Sequence, residues 1–502
     1  MDELMTGMAQ ASILSLSDAT LEQLPQGIDR PCYDRSSLQP GIVHIGLGNF
    51  HRAHQAWYLH RLMQEGEALD WAIIGAGVRA YDADMRKRLL AQDCLTTLVE
   101  LDPTGTAAEV TGAMIDYLPI EEGNGSLVSA MADPRIRIVS LTVTEGGYYR
   151  DPATGGFEAR HADIAHDAAQ PLRPRTAFGA IVAALRMRRD AGHGPFTLQS
   201  CDNLQGNGAI LRDTVLCLAR LGDQDMANWI EAHCSFPDSM VDCIVPATGE
   251  RELALTRALG IDDAAPVTHE NFRQWVIEDD FCAGRPAWDR VGATMTHNVS
   301  DYESMKIRML NAGHQLLANA GEVIGLEMIS ECLVHKGIAS FFRKVEREEI
   351  APHVDPVPNM APEAYAALIE NRFANPAIRD TVRRVAFDGS SRHTGFLLPV
   401  LRDAIAAGGA IEGLSLAEAL WARMCEGTRE DGSEIAPNDP FWADLNQAAH
   451  AARQEPSRWL LQKQFYGDLA QHAGFSETFA HWLDLIWSEG VEVALLRYAR
   501  GS

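Results

Sequence analysis

The 502-residue sequence predicts an α/β protein whose N-terminal part alternates strands with helices and whose C-terminal part is mostly α-helical. Short β-rich runs separated by helical patterns recur as far as residue 296. Long helical patterns then replace them. One early strand also leads directly into a glycine turn and a helix, the order found in parallel sheets with crossover helices. We therefore predict two domains, at residues 1–296 and 297–502.

The glycine turn indicates what the N-terminal domain binds. Residues 41–45 form a short apolar run typical of a buried strand, and Gly46-Leu-Gly-Asn-Phe50 follows it, before an amphipathic helical pattern. Glycines at these positions permit a tight turn and the approach of a pyrophosphate to a helix N-terminus. The sequence thus predicts a Rossmann-type dinucleotide-binding domain, although His51 replaces the third glycine of the fingerprint. The predicted cofactor residues of this turn are Gly46, Gly48, Asn49 and Phe50.

An acidic residue after the next strand indicates which dinucleotide is bound. Residues 71–78 read as that strand, and Asp82 lies just beyond it. An acid in this region binds the adenosine ribose hydroxyls and repels a 2′-phosphate, so we predict NAD as the cofactor. Asp82 lies later than the usual position, and the basic residues Arg79 and Arg86 lie close by, so NADP remains the alternative.

Two further predicted strands end in polar residues. The run 136–144 precedes Glu145, and the run 196–200 precedes Asp202 and Asn203. Ligands of open α/β sheets bind beyond the carboxyl ends of the strands, so these residues are candidates for a site. The alternative is turn chemistry, because Asp, Asn and Gly commonly end strands and cap helices.

A helix at the start of the second domain carries polar groups in an apolar seam. At roughly 100° per residue, four polar side chains fall within an arc of about 140°. They are Glu303, Lys306, Asn311 and His314. Burial disfavours a charged lysine and lowers its pKa toward neutrality, which makes Lys306 a candidate general base. The alternative is a structural ion pair between Lys306 and Glu303. We expect the site to form in the cleft between the two domains.

Composition excludes several classes of partner. The formal charge of −26 argues against nucleic acid and anionic membranes, since both attract basic surfaces. The first thirty residues carry acids and do not resemble a signal peptide, and no apolar run of about 20 residues occurs. Nine scattered cysteines are typical of reduced thiols, so a cytoplasmic protein is expected. The sequence shows no metal-ligand cluster, and we expect no metal.

Several longer motifs occur in order along most of the chain. They are the segments 46–56, 144–148, 200–203, 240–242, 284–288, 302–306 and 310–314. With these motifs the sequence resembles the polyol-specific long-chain dehydrogenases. The resemblance implies metal-independent, reversible hydride transfer between a polyol and NAD. The implied substrate is D-mannitol, oxidised to D-fructose, with D-arabinitol and D-sorbitol as side substrates.

The resemblance also implies roles for single residues. Lys306 matches the general base, and His314 matches a residue that binds and orients the reacting oxygen. Asn311 and Asn203 match amides that stabilise the developing oxyanion, and Asn203 is also placed at the cofactor. The matches for proton passage and the environment of the lysine are Glu145 and Glu303.

Three residues match positions that contact the substrate chain, namely Asp242, Arg384 and Arg392. Arg392 is a departure, because the family often carries a lysine there, and its wider forked head leaves the preferred polyol open. The alternative for Arg392 is a solvated surface residue.

Three other functions compete with this interpretation. A hexuronate reductase of the same superfamily is the nearest, because Arg384 and Arg392 suit a substrate carboxylate. The form of the 144–148 motif favours the polyol enzymes instead. A non-catalytic sensor is expected to have lost Lys306 or the amides, and a zinc-dependent dehydrogenase needs a ligand set that the sequence lacks. Family members are often monomers, so a monomer is expected.

Overall fold

The computed structural model describes residues 13–151 and 155–501. The chain divides into two compact units, residues 1–299 and 300–502. Within the described residues, every strand lies in the N-terminal unit. The strands are β1 (Leu14–Ser15), β2 (Ile28–Asp29), β3 (Pro40–Ile45), β4 (Ala72–Ala76), β5 (Thr96–Asp102), β6 (Gly105–Thr111), β7 (Met114–Tyr117), β8 (Ile138–Leu141), β9 (Thr197–Ser200), β10 (Ser239–Asp242), β11 (Ile261–Asp262), β12 (Val267–Glu270), β13 (Gln274–Glu278) and β14 (Thr294–Thr296).

The main sheet of the N-terminal unit is parallel, with strand order β7-β4-β3-β8-β9. Its central strands are apolar along nearly their whole length because both faces are covered, as parallel sheets require. Val43 and Ile45 of β3 pack into one core, whereas Ile42 packs into the core on the opposite face. The strands predicted at 41–45, 71–78 and 196–200 are present, with ends that differ by one or two residues.

Smaller sheets complete the N-terminal unit. One has the order β12-β5-β6-β2, in which β5 and β6 form an antiparallel hairpin, and another has the order β10-β13-β14. β1 and β11 form a parallel pair. The helices of this unit are α1 (Asn49–Ala53), α2 (Gln55–Gln64), α3 (Asp82–Leu90), α4 (Gly125–Ala132), α5 (Ala162–Ala169), α6 (Ala177–Asp190), α7 (Asn207–Gly222), α8 (Gln224–His233) and α9 (Glu250–Ala258).

The C-terminal unit is helical, as predicted, and α10 (Val299–Met305) leads into it. Helix α18 is buried along almost its whole length and packs against α11 and α22. None of the helices in the described ranges is long and apolar enough to cross a membrane. The further helices are α11 (Ala312–Ile324), α12 (Ile329–Val334), α13 (Lys336–Val345), α14 (Pro362–Phe373), α15 (Val382–Val385), α16 (Gly389–Arg392), α17 (Leu398–Ala407), α18 (Glu412–Cys425), α19 (Trp442–Ala452), α20 (Ser457–Leu460), α21 (Lys463–Tyr466), α22 (Ala473–Glu489) and α23 (Val491–Arg500).

Segments of π-helix interrupt the α-helices of the C-terminal unit. They are Lys306–Asn311, Glu346–Ile350 and His393–Leu397. The first of them contacts both of the others. Because π-turns occur frequently at functional sites, this packing makes the region around Lys306 a candidate functional site.

Candidate active site

The glycine turn after β3 has the geometry of a dinucleotide-binding turn. Gly46 has a φ of +93°, and a Cβ there would lie 2.1 Å from the carbonyl oxygen of Thr142. Gly48 caps α1, and its N–H donates to the Gly46 carbonyl at 2.9 Å. A Cβ at Gly48 would meet no atom within 4 Å. The turn is therefore tight beneath Gly46 and open at Gly48, which leaves space for a ligand at the helix N-terminus.

The position of this turn in the sheet also suits a dinucleotide. The chain runs from β3 outward through β4 to β7, and then returns to the other side of β3 for β8. The strand order reverses between β3 and β8, and such a switch point is where α/β sheets bind their ligands. Gly46 and Thr142 lie at this point, just beyond the carboxyl ends of the two strands.

The residues that follow Gly48 are held by protein contacts. The Asn49 amide donates to the Thr248 hydroxyl at 2.9 Å and to the Pro246 carbonyl at 3.1 Å. Phe50 stacks on His54, with ring centroids 4.8 Å apart. Both residues thus lie at the predicted turn, and their contact with a cofactor stays a prediction.

His51 fills the position of the missing third glycine. It is 1% exposed and stacks on His44 of β3, with ring centroids 3.5 Å apart. Burial lowers the pKa of His51 well below its ordinary value and that of His44 to about 3, so both rings are neutral. The single helix predicted after the turn is wrong in detail, because the chain breaks at His54 between α1 and α2.

Asp82 lies at the start of α3, after the strand that neighbours β3. One of its carboxylate oxygens accepts a hydrogen bond from the backbone N–H of Arg79 at 2.9 Å. A Cβ at Gly77 would lie 2.4 Å from the Asp82 Cβ, so the absence of a side chain at Gly77 makes room for the acid. The carboxylate is thus packed against the end of β4, which is the edge where an adenosine ribose is expected.

A buried acid fixes the loop that carries Glu145. The Asp202 carboxylate accepts hydrogen bonds from the N–H of Val143 at 3.1 Å and of Thr144 at 2.8 Å, and from the Tyr148 hydroxyl at 2.7 Å. Thr144 has a φ of +64°, a conformation that non-glycine residues seldom adopt. Burial raises the pKa of Asp202, and these hydrogen bonds oppose the rise.

The hydrogen bonds that Asp202 accepts from Val143, Thr144 and Tyr148 form a clamp on this loop. The strand predicted over 136–144 is therefore too long. The strand β8 ends at Leu141, and beyond it the N–H groups of Val143 and Thr144 donate to Asp202 instead of to a neighbouring strand. Asp202 itself has the structural role that turn chemistry predicts. Glu145 and Asn203 are exposed on either side of the clamp. Asp242 is the last residue of β10 and is 6% exposed.

The helix that carries Lys306 is not a uniform α-helix. Lys306–Asn311 is a π-turn between α10 and α11, so the angular spacing predicted from an α-helix is wrong within it. Lys306 and Glu303 are buried, at 7% and 5% exposure, whereas Asn311 and His314 are only half-buried. The π-turn thus begins at the buried Lys306 and ends at the half-buried Asn311, and the half-buried His314 follows in α11.

Asp380 is a residue of this region that the sequence did not single out. Its Oδ1 accepts hydrogen bonds from Nε and Nη2 of Arg384 at 2.8 and 2.6 Å. Its Oδ2 lies 3.6 Å from Nε2 of His314. His314 also stacks on Phe373, with ring centroids 4.0 Å apart. The available signal was the spacing of four between Asp380 and Arg384, which is typical of helical ion pairs.

Arg392 is hydrogen-bonded to the backbone of the same region. It is half-buried, and its Nη1 donates to the Val385 carbonyl at 2.7 Å. The next residue, His393, is fully buried between Asn319 of α11 and Glu418 of α18, at 2.7 and 2.8 Å. A buried polar network therefore ties the segment with Arg392 to the helix that carries the lysine.

The structure thus brings the predicted residues together in two groups. Within the N-terminal unit, the glycine turn, Asp82 and the loops with Glu145 and Asn203 lie at the carboxyl edge of the main sheet. Within the C-terminal unit, His314 and Arg384 meet at Asp380, and Lys306 lies on the same helical rod as His314.

Two family models match the chain. The Mannitol dehydrogenase Rossmann domain matches residues 40–290, and the Mannitol dehydrogenase C-terminal domain matches residues 298–487. The chain belongs to the mannitol dehydrogenase family. This confirms the resemblance seen in the sequence motifs, together with the prediction of a Rossmann-type domain followed by a mostly helical one.

Members of the family with similar sequences and structures cover nearly the whole chain. A mannitol 2-dehydrogenase from Cereibacter sphaeroides is 53% identical over 475 residues, which is 95% of this chain and 99% of that protein. The ternary complex of Pseudomonas fluorescens mannitol 2-dehydrogenase with NAD and D-mannitol matches with a TM-score of 0.85 and 38% identity, covering 97% of this chain and 100% of that one. A D-sorbitol dehydrogenase in substrate-free form matches with a TM-score of 0.90 and 34% identity, covering 96% and 100%.

Proposed function

We propose that this protein is an NAD-dependent polyol dehydrogenase that interconverts D-mannitol and D-fructose by metal-independent hydride transfer. The observation that carries the proposal is the buried Lys306 at the start of a π-turn, followed on the same helical rod by the half-buried Asn311 and His314. Similarity over nearly the full chain to proteins named mannitol 2-dehydrogenase supports the choice of substrate.

Each polar group has a chemical task in this proposal. Lys306 takes the proton of the secondary alcohol as a general base, and the amides of Asn311 and Asn203 donate hydrogen bonds to the oxygen as negative charge develops there. His314 binds and orients the same oxygen. NAD held at the glycine turn would supply the acceptor for the hydride of the substrate carbon. The two carboxylates assigned to proton passage are Glu145 and Glu303.

The N-terminal unit supplies the proposed cofactor site. The space at Gly48 fits a pyrophosphate, because a Cβ at this position would meet no atom within 4 Å. We assign the adenosine ribose to Asp82, which favours NAD over NADP. The remaining cofactor contacts of the proposal are Gly46, Asn49, Phe50 and Asn203.

Three side chains complete the proposed substrate site, namely Asp242, Arg384 and Arg392. The Pseudomonas fluorescens enzyme was solved with D-mannitol, and another similar structure is a D-sorbitol dehydrogenase, which supports D-sorbitol as a side substrate beside D-arabinitol. The hexuronate alternative is disfavoured, since these relatives are named for polyols. We also propose that the protein is monomeric, which light scattering on the purified chain tests. Its proposed cytoplasmic location is tested by fractionation of the source cells.

The test is NADH and NADPH formation by the purified protein on D-mannitol, D-arabinitol, D-sorbitol and D-mannonate, with and without EDTA. We expect EDTA-resistant formation of NADH on D-mannitol, with lower rates on the other two polyols. Turnover of D-mannonate alone would move the protein to the hexuronate reductases. Loss of activity with EDTA would exclude the metal-independent mechanism.

A further inference from the structure

Asp380 joins two residues of the proposed substrate site through one carboxylate. Oδ1 accepts both hydrogen bonds from Arg384, at 2.6 and 2.8 Å, and Oδ2 faces Nε2 of His314 at 3.6 Å. Asp380 is 6% exposed, whereas the Arg384 side chain is 61% exposed. The buried acid is thus the fixed partner, and the arginine reaches outward from it.

The backbone holds Asp380 in place independently of its side-chain partners. Its carbonyl accepts a hydrogen bond from the N–H of Ile329 at 2.9 Å, and its N–H donates to the Ile378 carbonyl at 3.1 Å. The next residue, Thr381, caps α15 by accepting from the N–H of Arg384 at 3.2 Å. Backbone hydrogen bonds therefore fix the segment that presents both the acid and the arginine, and we expect the carboxylate to keep its position when a neighbouring side chain is changed.

The same carboxylate alters what Arg384 offers to a substrate. A substrate carboxylate binds most strongly to a guanidinium that presents two parallel donors and an uncompensated charge. In Arg384 the Nε and Nη2 donors are already used by Asp380, and the charges of the two groups offset each other. Such a neutral pair still hydrogen-bonds hydroxyl groups but gains little from a second carboxylate. Burial raises the pKa of Asp380, while Arg384 and Arg392 oppose the rise.

We propose that Asp380 is a positioning residue that holds His314 and Arg384 for an uncharged polyol and, by neutralising Arg384, disfavours substrates that carry a carboxylate. This rests on the proposed function, because His314 and Arg384 are assigned to the substrate there. It adds a residue to the site and a physical reason for the preference for polyols over hexonates.

The experiment compares full-length Asp380→Asn and Asp380→Glu with the wild type. For each, kcat and KM are measured with NAD on D-mannitol and D-mannonate. Asp380→Asn keeps the shape and removes the charge, so we expect at least a tenfold fall in the ratio of kcat/KM for mannitol to that for mannonate. Asp380→Glu retains the charge and should retain most of that ratio, even where kcat falls because His314 is displaced. The matched control is Asp468→Asn, which breaks an exposed ion pair with Arg402 in the same unit.

A double-mutant cycle separates positioning from a general loss of structure. In an Arg384→Gln background the guanidinium that is hydrogen-bonded to Asp380 is absent, so Asp380→Asn should change the substrate ratio by less than twofold. An unchanged ratio in Asp380→Asn, or the same change with and without Arg384, would overturn the role of Asp380 while leaving the polyol activity standing. The proposed role of Asp380 would also be overturned if a folded Asp380→Glu variant lost the preference for mannitol over mannonate in kcat/KM. A wild type that prefers mannonate would overturn both this proposal and the proposed function.

Discussion

The carboxylate of Asp202 accepts a hydrogen bond from the backbone N–H of Thr144 at 2.8 Å. Thr144 has a φ of +64°, so this contact helps to maintain a backbone conformation that is costly for a threonine. The residue that follows is Glu145, and Asn203 follows Asp202. Together with the hydrogen bonds from Val143 and Tyr148, this contact joins two loops that both carry proposed site residues.

Replacing Asp202 by Asn should weaken the fold and the activity together. An amide keeps one acceptor oxygen and turns the other into an N–H donor, so at least one of the partly buried N–H groups of Val143 and Thr144 loses its acceptor. The cost of such groups is about 1–3 kcal/mol each, so we expect a lower free energy of unfolding in urea and a lower kcat on D-mannitol. Asp225→Asn, at an exposed position of α8, is the matched control. Unchanged stability of Asp202→Asn would show that the clamp contributes little.

The two glycines of the turn should respond in opposite ways to alanine. Gly48 has ordinary φ, and a Cβ there meets nothing within 4 Å, so Gly48→Ala should fold normally but obstruct the pyrophosphate. Gly46→Ala should destabilise the fold, since its Cβ would lie 2.1 Å from the Thr142 carbonyl oxygen. Thermal unfolding and calorimetric titration with NAD measure the two effects. Full NAD affinity in Gly48→Ala would place the cofactor elsewhere.

Lys306→Ala tests the general base. Loss of a positioned base costs typically 10²–10⁴-fold in rate, so we expect a fall of about that size in kcat on D-mannitol. NAD affinity should be retained, because Lys306 belongs to the C-terminal unit and no cofactor contact is assigned to it. The exposed Lys463→Ala serves as the control. Turnover close to that of the wild type would exclude Lys306 as the base.

Asp82→Ala tests the assignment of the adenosine ribose. Without the carboxylate, the repulsion of a 2′-phosphate is lost and one hydrogen-bond acceptor for the ribose disappears. We expect the ratio of kcat/KM for NAD to that for NADP to fall by about tenfold or more, equivalent to about 1.4 kcal/mol. Asp84→Ala, two residues along α3 and exposed, is the control. An unchanged ratio would mean that Asp82 serves only to hold the backbone at Arg79.

The sequence predicted the features that depend on local pattern. Buried parallel strands are visible as short apolar runs, and the glycine turn as two glycines before a helix, because both patterns arise from neighbours in the chain. The break at His54 was missed, and so was the stacking of His51 on His44, a contact between a helix and a strand. The pattern of apolar residues does not encode such a contact.

The missed parts of the site have the same physical origin. The π-turn Lys306–Asn311 is maintained by packing against other helices, and it leaves the apolar spacing of a short helix almost unchanged. Asp380 acquires its role from His314, which lies far away in the sequence. The end of β8 depends on Asp202 in the next strand-to-helix loop. Tertiary contacts decided each of these, and a single sequence does not display them.

A buried carboxyl next to the lysine helix gives a prediction about pH and stability. Glu346 is 1% exposed, and a Cβ on Gly313 of α11 would lie 2.7 Å from its Oε1. Within the part of the chain that the structure describes, neither of its oxygens has a hydrogen-bond partner. Burial therefore raises the pKa of Glu346 well above its ordinary value of 4.5.

The sign of the effect follows from proton binding. Above the ordinary pKa the unfolded chain has lost this proton while the folded state keeps it, so the free energy of unfolding falls as the pH rises toward the folded-state pKa. Glu346→Gln replaces the carboxyl by an amide that does not titrate, so the variant lacks this pH-dependent contribution. The Tm of the variant, relative to that of the wild type, should thus be higher at about pH 8 than at about pH 4. Glu348→Gln, exposed in the same π-turn, should show no such dependence. A Tm difference independent of pH would mean that the pKa of Glu346 is the same in the folded and unfolded states.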